Sequence, residues 1–163
     1  MEHAMRMTKL AHRLGEKMNL SNEQINNLSL LASLHDIGKT TISKDILNKP
    51  GDLTKEEWEI IKEHPERGYV IASSTDEFSS VARAILCHHE KWNGRGYPKG
   101  LAEEEIPLLS RIISIVDAYD VMTAGRPYKE AMSKEEALQE IKRFAGSQFD
   151  PELAEKFVEM MKG

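Results

Sequence analysis

Residues 29–39 read SLLASLHDIGK: the first half is an apolar helical face, and the second half sets His35, Asp36 and Lys39 into it. Burying a histidine beside an aspartate is costly unless each is paired or bound to a metal. In a helix His35 and Lys39 stand four apart and Asp36 and Lys39 three apart, so all three can converge on one point. The spacing predicts a helix from Asn22 to about Gly38, with Ile25, Leu28, Leu31, Ala32 and Leu34 on one side.

The same period continues through nearly the whole chain, and strand-like alternation is sustained nowhere, which predicts an all-α fold. Met1 to Lys17 is expected to form a first helix through Met5, Leu10, Leu14 and Met18. Capping boxes at Thr54/Glu57 and Ser133/Glu136 open helices through Trp58, Ile60 and Ile61 and through Leu138 and Ile141. Asp150-Pro151 opens a last one, buried along Leu153, Phe157, Val158 and Met161. Helices are also expected from about Asp76 to His89 and from about Leu108 to Met122, making about seven in one compact domain. Lys91–Pro107 and Ala124–Met132 read as loops, and irregular segments of that length within a helical domain are usually functional. Trp58, Met122, Phe144 and Phe157 are assigned to the core, and His12 to the charged side of the first helix.

A chain of 163 residues with 40% hydrophobic residues suits a single core. No stretch approaches the run of about 18 uncharged apolar residues that a membrane span needs, and His3, Arg6 and Lys9 break any signal-like start. A cytoplasmic location is expected. The single cysteine, Cys87, cannot form an internal disulfide and follows Ala84, Ile85 and Leu86, so it reads as a packed core thiol, and any metal must use nitrogen and oxygen ligands. A net charge of −5 argues against bulk attraction to a polynucleotide or an acidic membrane, so an anionic partner needs a local cationic site.

RIISIVDAYDVM, residues 111–122, raises the burial problem again, because Asp117 sits among Ile112, Ile113, Ile115, Val116 and Val121. A cation is the simplest compensation. Asp120, three residues on, either faces the same cavity or reaches solvent at its mouth. His64 opens HPERG, and His88 and His89 end ARAILCHHE; adjacent side chains on a helix diverge by about 100°, which suits two ions a few ångströms apart better than one. His3, His35, Asp36, His64, His88, His89 and Asp117 supply the ligand set of a paired-ion centre. Arg126 and Lys129 form a compact cationic pair. Tyr128, Trp92 and Tyr97 either stack on a ligand or pack beneath their loops.

These motifs resemble the HD-GYP domains, a branch of the HD superfamily of metal-dependent phosphohydrolases. The resemblance runs through H-x-x-R at His3 and Arg6, HDIGK at 35–39, ILNKPGDLTKEEWEIIKEHPERG at 46–68, HHEKWNGRGYPKGL at 88–101, IPLLSRIISIVDAYDVMT at 106–123, RPYKEA at 126–131 and FDPEL at 149–153. It implies an all-helical fold and hydrolysis of cyclic di-GMP to pGpG and onward to GMP. His35, Asp36, His64, His88, His89 and Asp117 would be metal ligands with Asp36 bridging, and His3 would match the histidine some members use for an additional ion. Lys39 would contact the scissile phosphate, Arg126 and Lys129 the substrate phosphates, and the loop with Tyr97 would shape the pocket and meet a regulatory or diguanylate cyclase partner. The family's three-metal members carry a glutamate four residues before the first histidine; here Glu2 is adjacent to His3, so two ions are expected rather than three.

The thiol-free donor set favours iron or manganese. Two such ions would acidify a bridging water for in-line attack on phosphorus, with Lys39 adding charge at the developing oxyanion. Asp36 and Lys39 are thus the expected catalytic residues, and Arg126, Lys129, Tyr97 and Asp120 the expected substrate contacts. The alternatives are a phosphodiesterase for another cyclic dinucleotide or nucleotide, and a regulatory module that responds to cyclic di-GMP without turnover. With the first ligand at position 3, residues 1–163 read as an output domain of a longer chain with an upstream sensor, and a homodimer through the methionine-rich first helix is a further expectation.

Overall fold

The computed structural model describes residues 1–163, and its longest helix explains how the rest is arranged. Helix α7 (Leu108–Ala124) buries Ile112, Ile113, Ile115, Val116 and Tyr119, which lie on more than one side of the helix. A helix apolar around most of its circumference must be surrounded. It packs against α1 (Glu2–Lys17), α2 (Asn22–Leu34), α8 (Lys134–Arg143) and α9 (Pro151–Lys162). Met7, Leu14, Leu28, Leu31, Ile141 and Phe157 close the core around it.

A second layer holds the short α3 (Lys44–Leu47), α4 (Lys55–Ile61), α5 (His64–Ser73) and α6 (Ala82–Leu86). Seven of the nine α-helices are seven residues or longer, and no strand is present. The capping boxes at Thr54 and Ser133 form as the sequence predicts, and a third joins Ser21 to Gln24 at the start of α2. Asp150 caps α9 and also accepts from Arg111 Nη1 at 2.7 Å, tying that cap to α7. No helix is long and apolar enough to cross a membrane.

Four local expectations need correcting. Helix α2 stops at Leu34 rather than Gly38, and Ile37–Thr41 winds as a 3-10 helix. Here Gly38 presses on α5, where a Cβ would overlap backbone atoms of His64 and Gly68. The expected helix over 76–89 reduces to a 3-10 turn (Ser79–Val81) and α6, which leaves His88 and His89 in a turn past its end. In α1 the buried row is Met7, Ala11 and Leu14, whereas Met5 is exposed, because the face toward α2 and α7 lies two residues along from it. Trp58 is 47% exposed rather than core, since it lines an open cleft with Leu47, Ile61 and Tyr97. Phe157 is fully buried, while Met122 and Phe144 pack partly exposed against the core.

Candidate metal centre

Three buried histidines are held from behind in the same way. The Nδ1 of His35, His64 and His88 lies 3.0, 2.7 and 2.6 Å from the carbonyl of the residue three before it, Ala32, Ile61 and Ile85. A backbone carbonyl only accepts, so each Nδ1 carries the proton and each Nε2 turns its lone pair inward.

The inward atoms converge. His64 Nε2 lies 3.3 Å from His88 Nε2 and 3.2 Å from His89 Nε2. His88 and His89, freed from helical spacing, do not diverge; their rings sit 4.2 Å apart and address the same point. Burial, reinforced by the neighbouring imidazoles, pushes the His89 pKa down to about 2, and burial lowers that of His88 as well. Neutral imidazoles with lone pairs facing one another are the donor state a metal needs.

Asp36 joins this group to a second. Its Oδ1 lies 3.2 Å from His64 Nε2 and 3.5 Å from His88 Nε2, while Oδ2 is 3.3 Å from both His35 Nε2 and Lys39 Nζ. The second group is His3, His35 and Asp117; in each group the donor atoms lie within 4.8 Å of one another. Burial works to raise the Asp36 pKa, but hydrogen bonding to the imidazoles, His35 first and then His64 and His88, outweighs it and holds the carboxyl well below the usual carboxylate range.

His35 Nε2 tests whether a cation fits. It is buried without any hydrogen-bond partner, and it faces a carboxylate although its own proton is committed to Ala32. Burial works to lower the His35 pKa, yet Asp36 overrides it and raises it: in the metal-free chain a proton is drawn to the gap. A divalent ion would meet the same demand with more charge, and the all-nitrogen-and-oxygen donor set suits one.

His3 reaches this centre from α1. Its Nε2 stands 3.3 Å from Asp117 Oδ1, and its Nδ1 2.6 Å from Asp120 Oδ2. Asp120 is 2% exposed, and Arg6 grips it through Nε at 2.6 Å and Nη2 at 3.0 Å. Both Asp120 oxygens are thereby engaged, and Asp120 faces the same cavity as Asp117 rather than reaching solvent at its mouth. The Asp117 carboxylate, with Asp120 behind it, raises the His3 pKa to about 8 against the effect of burial.

Around the centre, a cavity of about 380 Å³ is lined by His3, Asp36, Lys39, Asp117 and Arg126. Arg126 thus shares a cavity with the ligand groups, whereas exposed Lys129 borders a separate cavity of about 150 Å³ with Arg126, Val121 and Met132. The two residues pair through their backbones at 2.9 and 3.0 Å. Tyr97 stacks on His89 with ring centroids 5.0 Å apart, while Tyr128 is 74% exposed and packs under nothing. Cys87 is a buried thiol whose pKa burial raises, and exposed His12 pairs only with Glu16.

Sequence reading passed over Glu90. It is buried, and its two oxygens accept the backbone N–H groups of Lys99 and Leu101 at 2.8 and 3.0 Å, closing the loop that carries Tyr97. The available signal was an acid at the root of a glycine-rich loop, where free N–H groups need acceptors.

The chain is similar to known proteins in sequence and in fold. The sequence pattern of the HD domain matches residues 1–153. A cyclic di-GMP phosphodiesterase of Thermotoga maritima is 41% identical over 162 residues, 98% of this chain and 44% of that protein. Among solved structures, a cyclic GMP-AMP specific phosphodiesterase of V. cholerae, V-cGAP3, superposes with a TM-score of 0.77 at 26% identity, covering 99% of this chain and 44% of the other. The HDG"Y"P protein Bd1817 of Bdellovibrio bacteriovorus gives 0.78 at 25% identity, covering 99% and 52%. The chain therefore spans about half or less of the length of these relatives.

Proposed function

The chain belongs to the HD domain family, within its HD-GYP branch, and on that premise we propose that it is the phosphodiesterase module of a longer protein, hydrolysing cyclic di-GMP to pGpG and on to GMP. The observation that carries this reading is the placement of Asp36, with one oxygen turned to His64 and His88 and the other to His35 and Lys39.

His35, Asp36, His64, His88, His89 and Asp117 would hold two divalent ions, iron or manganese, with His3 as a further ligand. Bound there, such ions supply Lewis acidity, acidifying a water and neutralising phosphate charge. The remaining work falls to the chain. The carbonyls of Ala32, Ile61 and Ile85 fix the tautomers of three histidines. Arg6 and Asp120 position His3. The Lys39 ammonium, beside Asp36, would meet a non-bridging oxygen of the scissile phosphate and stabilise charge developing on it. Arg126, lining the same cavity, would hold the neighbouring phosphate, and Lys129 would add charge across the turn. Tyr97 covers His89 and limits water there.

A second reading, hydrolysis of a mixed GMP-AMP cyclic dinucleotide, is favoured by the likeness to V-cGAP3. Turnover of cyclic di-GMP, 3′3′-cyclic GMP-AMP and cyclic di-AMP by anaerobically prepared chain loaded with iron(II) or manganese(II) tests both. Loss of cyclic di-GMP first, with pGpG accumulating before GMP, is expected. Absence of turnover on all three overturns the enzymatic reading.

A further inference from the structure

A second cleft, of about 340 Å³, shares His88, His89 and Asp117 with the ligand groups and Arg126 with the cavity beside them. It runs between α7 and the segment joining α8 to α9. Val121, Met122 and Phe144 supply apolar walls, and Ser114, Glu140 and Gln148 supply polar groups. The volume lies in the range of small-molecule pockets, and a few placed polar groups among apolar walls is how such pockets fix a ligand's orientation.

The polar groups are unspent. Ser110, one turn before Ser114 on α7, donates to Ala84 O at 2.8 Å; the Ser114 hydroxyl has no hydrogen bond within the chain. The backbone of Gln148 is pinned at both ends, its N–H donating to Phe144 O at 3.0 Å and its carbonyl accepting from Trp92 N at 3.1 Å. Its side-chain amide is left without a partner. Glu140 meets only the exposed Arg143, at 3.5 Å.

A flat ring with hydrogen-bonding edges, attached to a phosphate seated at the ligand groups, fits these features. We propose that this cleft is a nucleobase subsite, taking one purine of the cyclic dinucleotide, with Gln148 and Glu140 reading its edge and Glu140 favouring guanine. This rests on the reading of the chain as a cyclic dinucleotide phosphodiesterase. Guanine presents two adjacent donors, N1–H and the exocyclic amine, which a carboxylate accepts together, and an O6 acceptor to which an amide donates. Adenine presents a ring-nitrogen acceptor where guanine has N1–H, and a carboxylate opposes it.

Calorimetric binding of GMP, AMP and inorganic phosphate to the manganese-loaded chain tests the subsite without requiring turnover. GMP should bind more tightly than phosphate, and Gln148→Leu should weaken GMP roughly tenfold while leaving phosphate unchanged. Glu140→Gln should narrow the preference for GMP over AMP by on the order of tenfold. GMP binding no tighter than phosphate, or indifferent to Gln148→Leu, overturns the proposal. So does a parallel loss of GMP and phosphate, which would mark Gln148 as structural. Failure of the turnover panel alone would remove the activity and leave these affinities to decide the subsite.

Discussion

Gly38 lies against His64 so closely that a Cβ on it would overlap the His64 carbonyl oxygen. This backbone contact between the 3-10 turn and α5 brings Asp36 within 3.2 Å of the His64 ring. Glycine is required here for proximity, since only its missing side chain lets two backbones approach this far.

Gly38→Ala should therefore move Asp36 away from His64 as well as overpack the junction. A loss of roughly 1–3 kcal/mol in stability is expected, together with reduced metal content and turnover. Chemical denaturation and metal analysis on the same sample check it. A variant of native stability with a full complement of metal would contradict the role given to the contact.

Removing metal should lower the melting temperature, because ligand bound only by the folded state stabilises it, by about 2.7 kcal/mol at a hundredfold excess over Kd. Manganese(II) should restore it after chelation. In Asp36→Ala the response to manganese should be abolished, turnover should fall on the order of a thousandfold or more, and the circular dichroism of a helical protein should persist. Retained turnover would defeat the proposed mechanism.

Lys39→Ala separates binding of metal from stabilisation of charge. Lys39 lies 3.3 Å from Asp36 but is not itself a donor to metal. The expected result is a kcat reduced roughly a hundredfold to a thousandfold with metal content unchanged.

The metal-free chain should be most stable near pH 6.5. His3 is raised from 6.5 to about 8, so its contribution is fully present below 6.5 and is lost as pH rises through about 8. His89 is lowered from 6.5 to about 2; the unfolded chain binds the extra proton below 6.5, and stability is lost as pH falls from there toward 2. His35, raised, and His88, lowered, reinforce the two limbs in turn. His3→Gln should shrink the alkaline limb, and metal loading should suppress it, because bound metal displaces the protons. Melting temperatures from pH 5 to 9 would show an undiminished alkaline decline in His3→Gln if the assignment is wrong.

Glu90→Ala should release the loop over 91–107. Two charge-assisted bonds to Lys99 and Leu101 are lost from a buried acceptor, at roughly 1–3 kcal/mol. Trypsin should then cut at Lys91, Arg95 or Lys99 faster than in the parent chain, and KM should rise as Tyr97 loosens from His89. The same loop needs Gly96, where a Cβ would overlap backbone atoms of His89 and Lys91.

Sequence alone determined the fold class, the three polar-start helices at Thr54, Ser133 and Asp150, and the set of histidines and aspartates set into apolar surroundings. Those signals are local: a capping box or a 3.6-residue period is complete within a few turns. Tertiary structure decided what the side chains do. Helical geometry assigned His88 and His89 to diverging directions, but α6 ends at Leu86 and packing turns both rings toward His64. Asp120 reads as an unpaired carboxylate in the sequence, and only the fold brings Arg6, 114 residues away, against it. Gln148, between two phenylalanines in the last loop, shows its unspent amide only once α7 and α8 enclose it. Whether a polar side chain is free or satisfied depends on partners distant along the chain, and no local pattern records them.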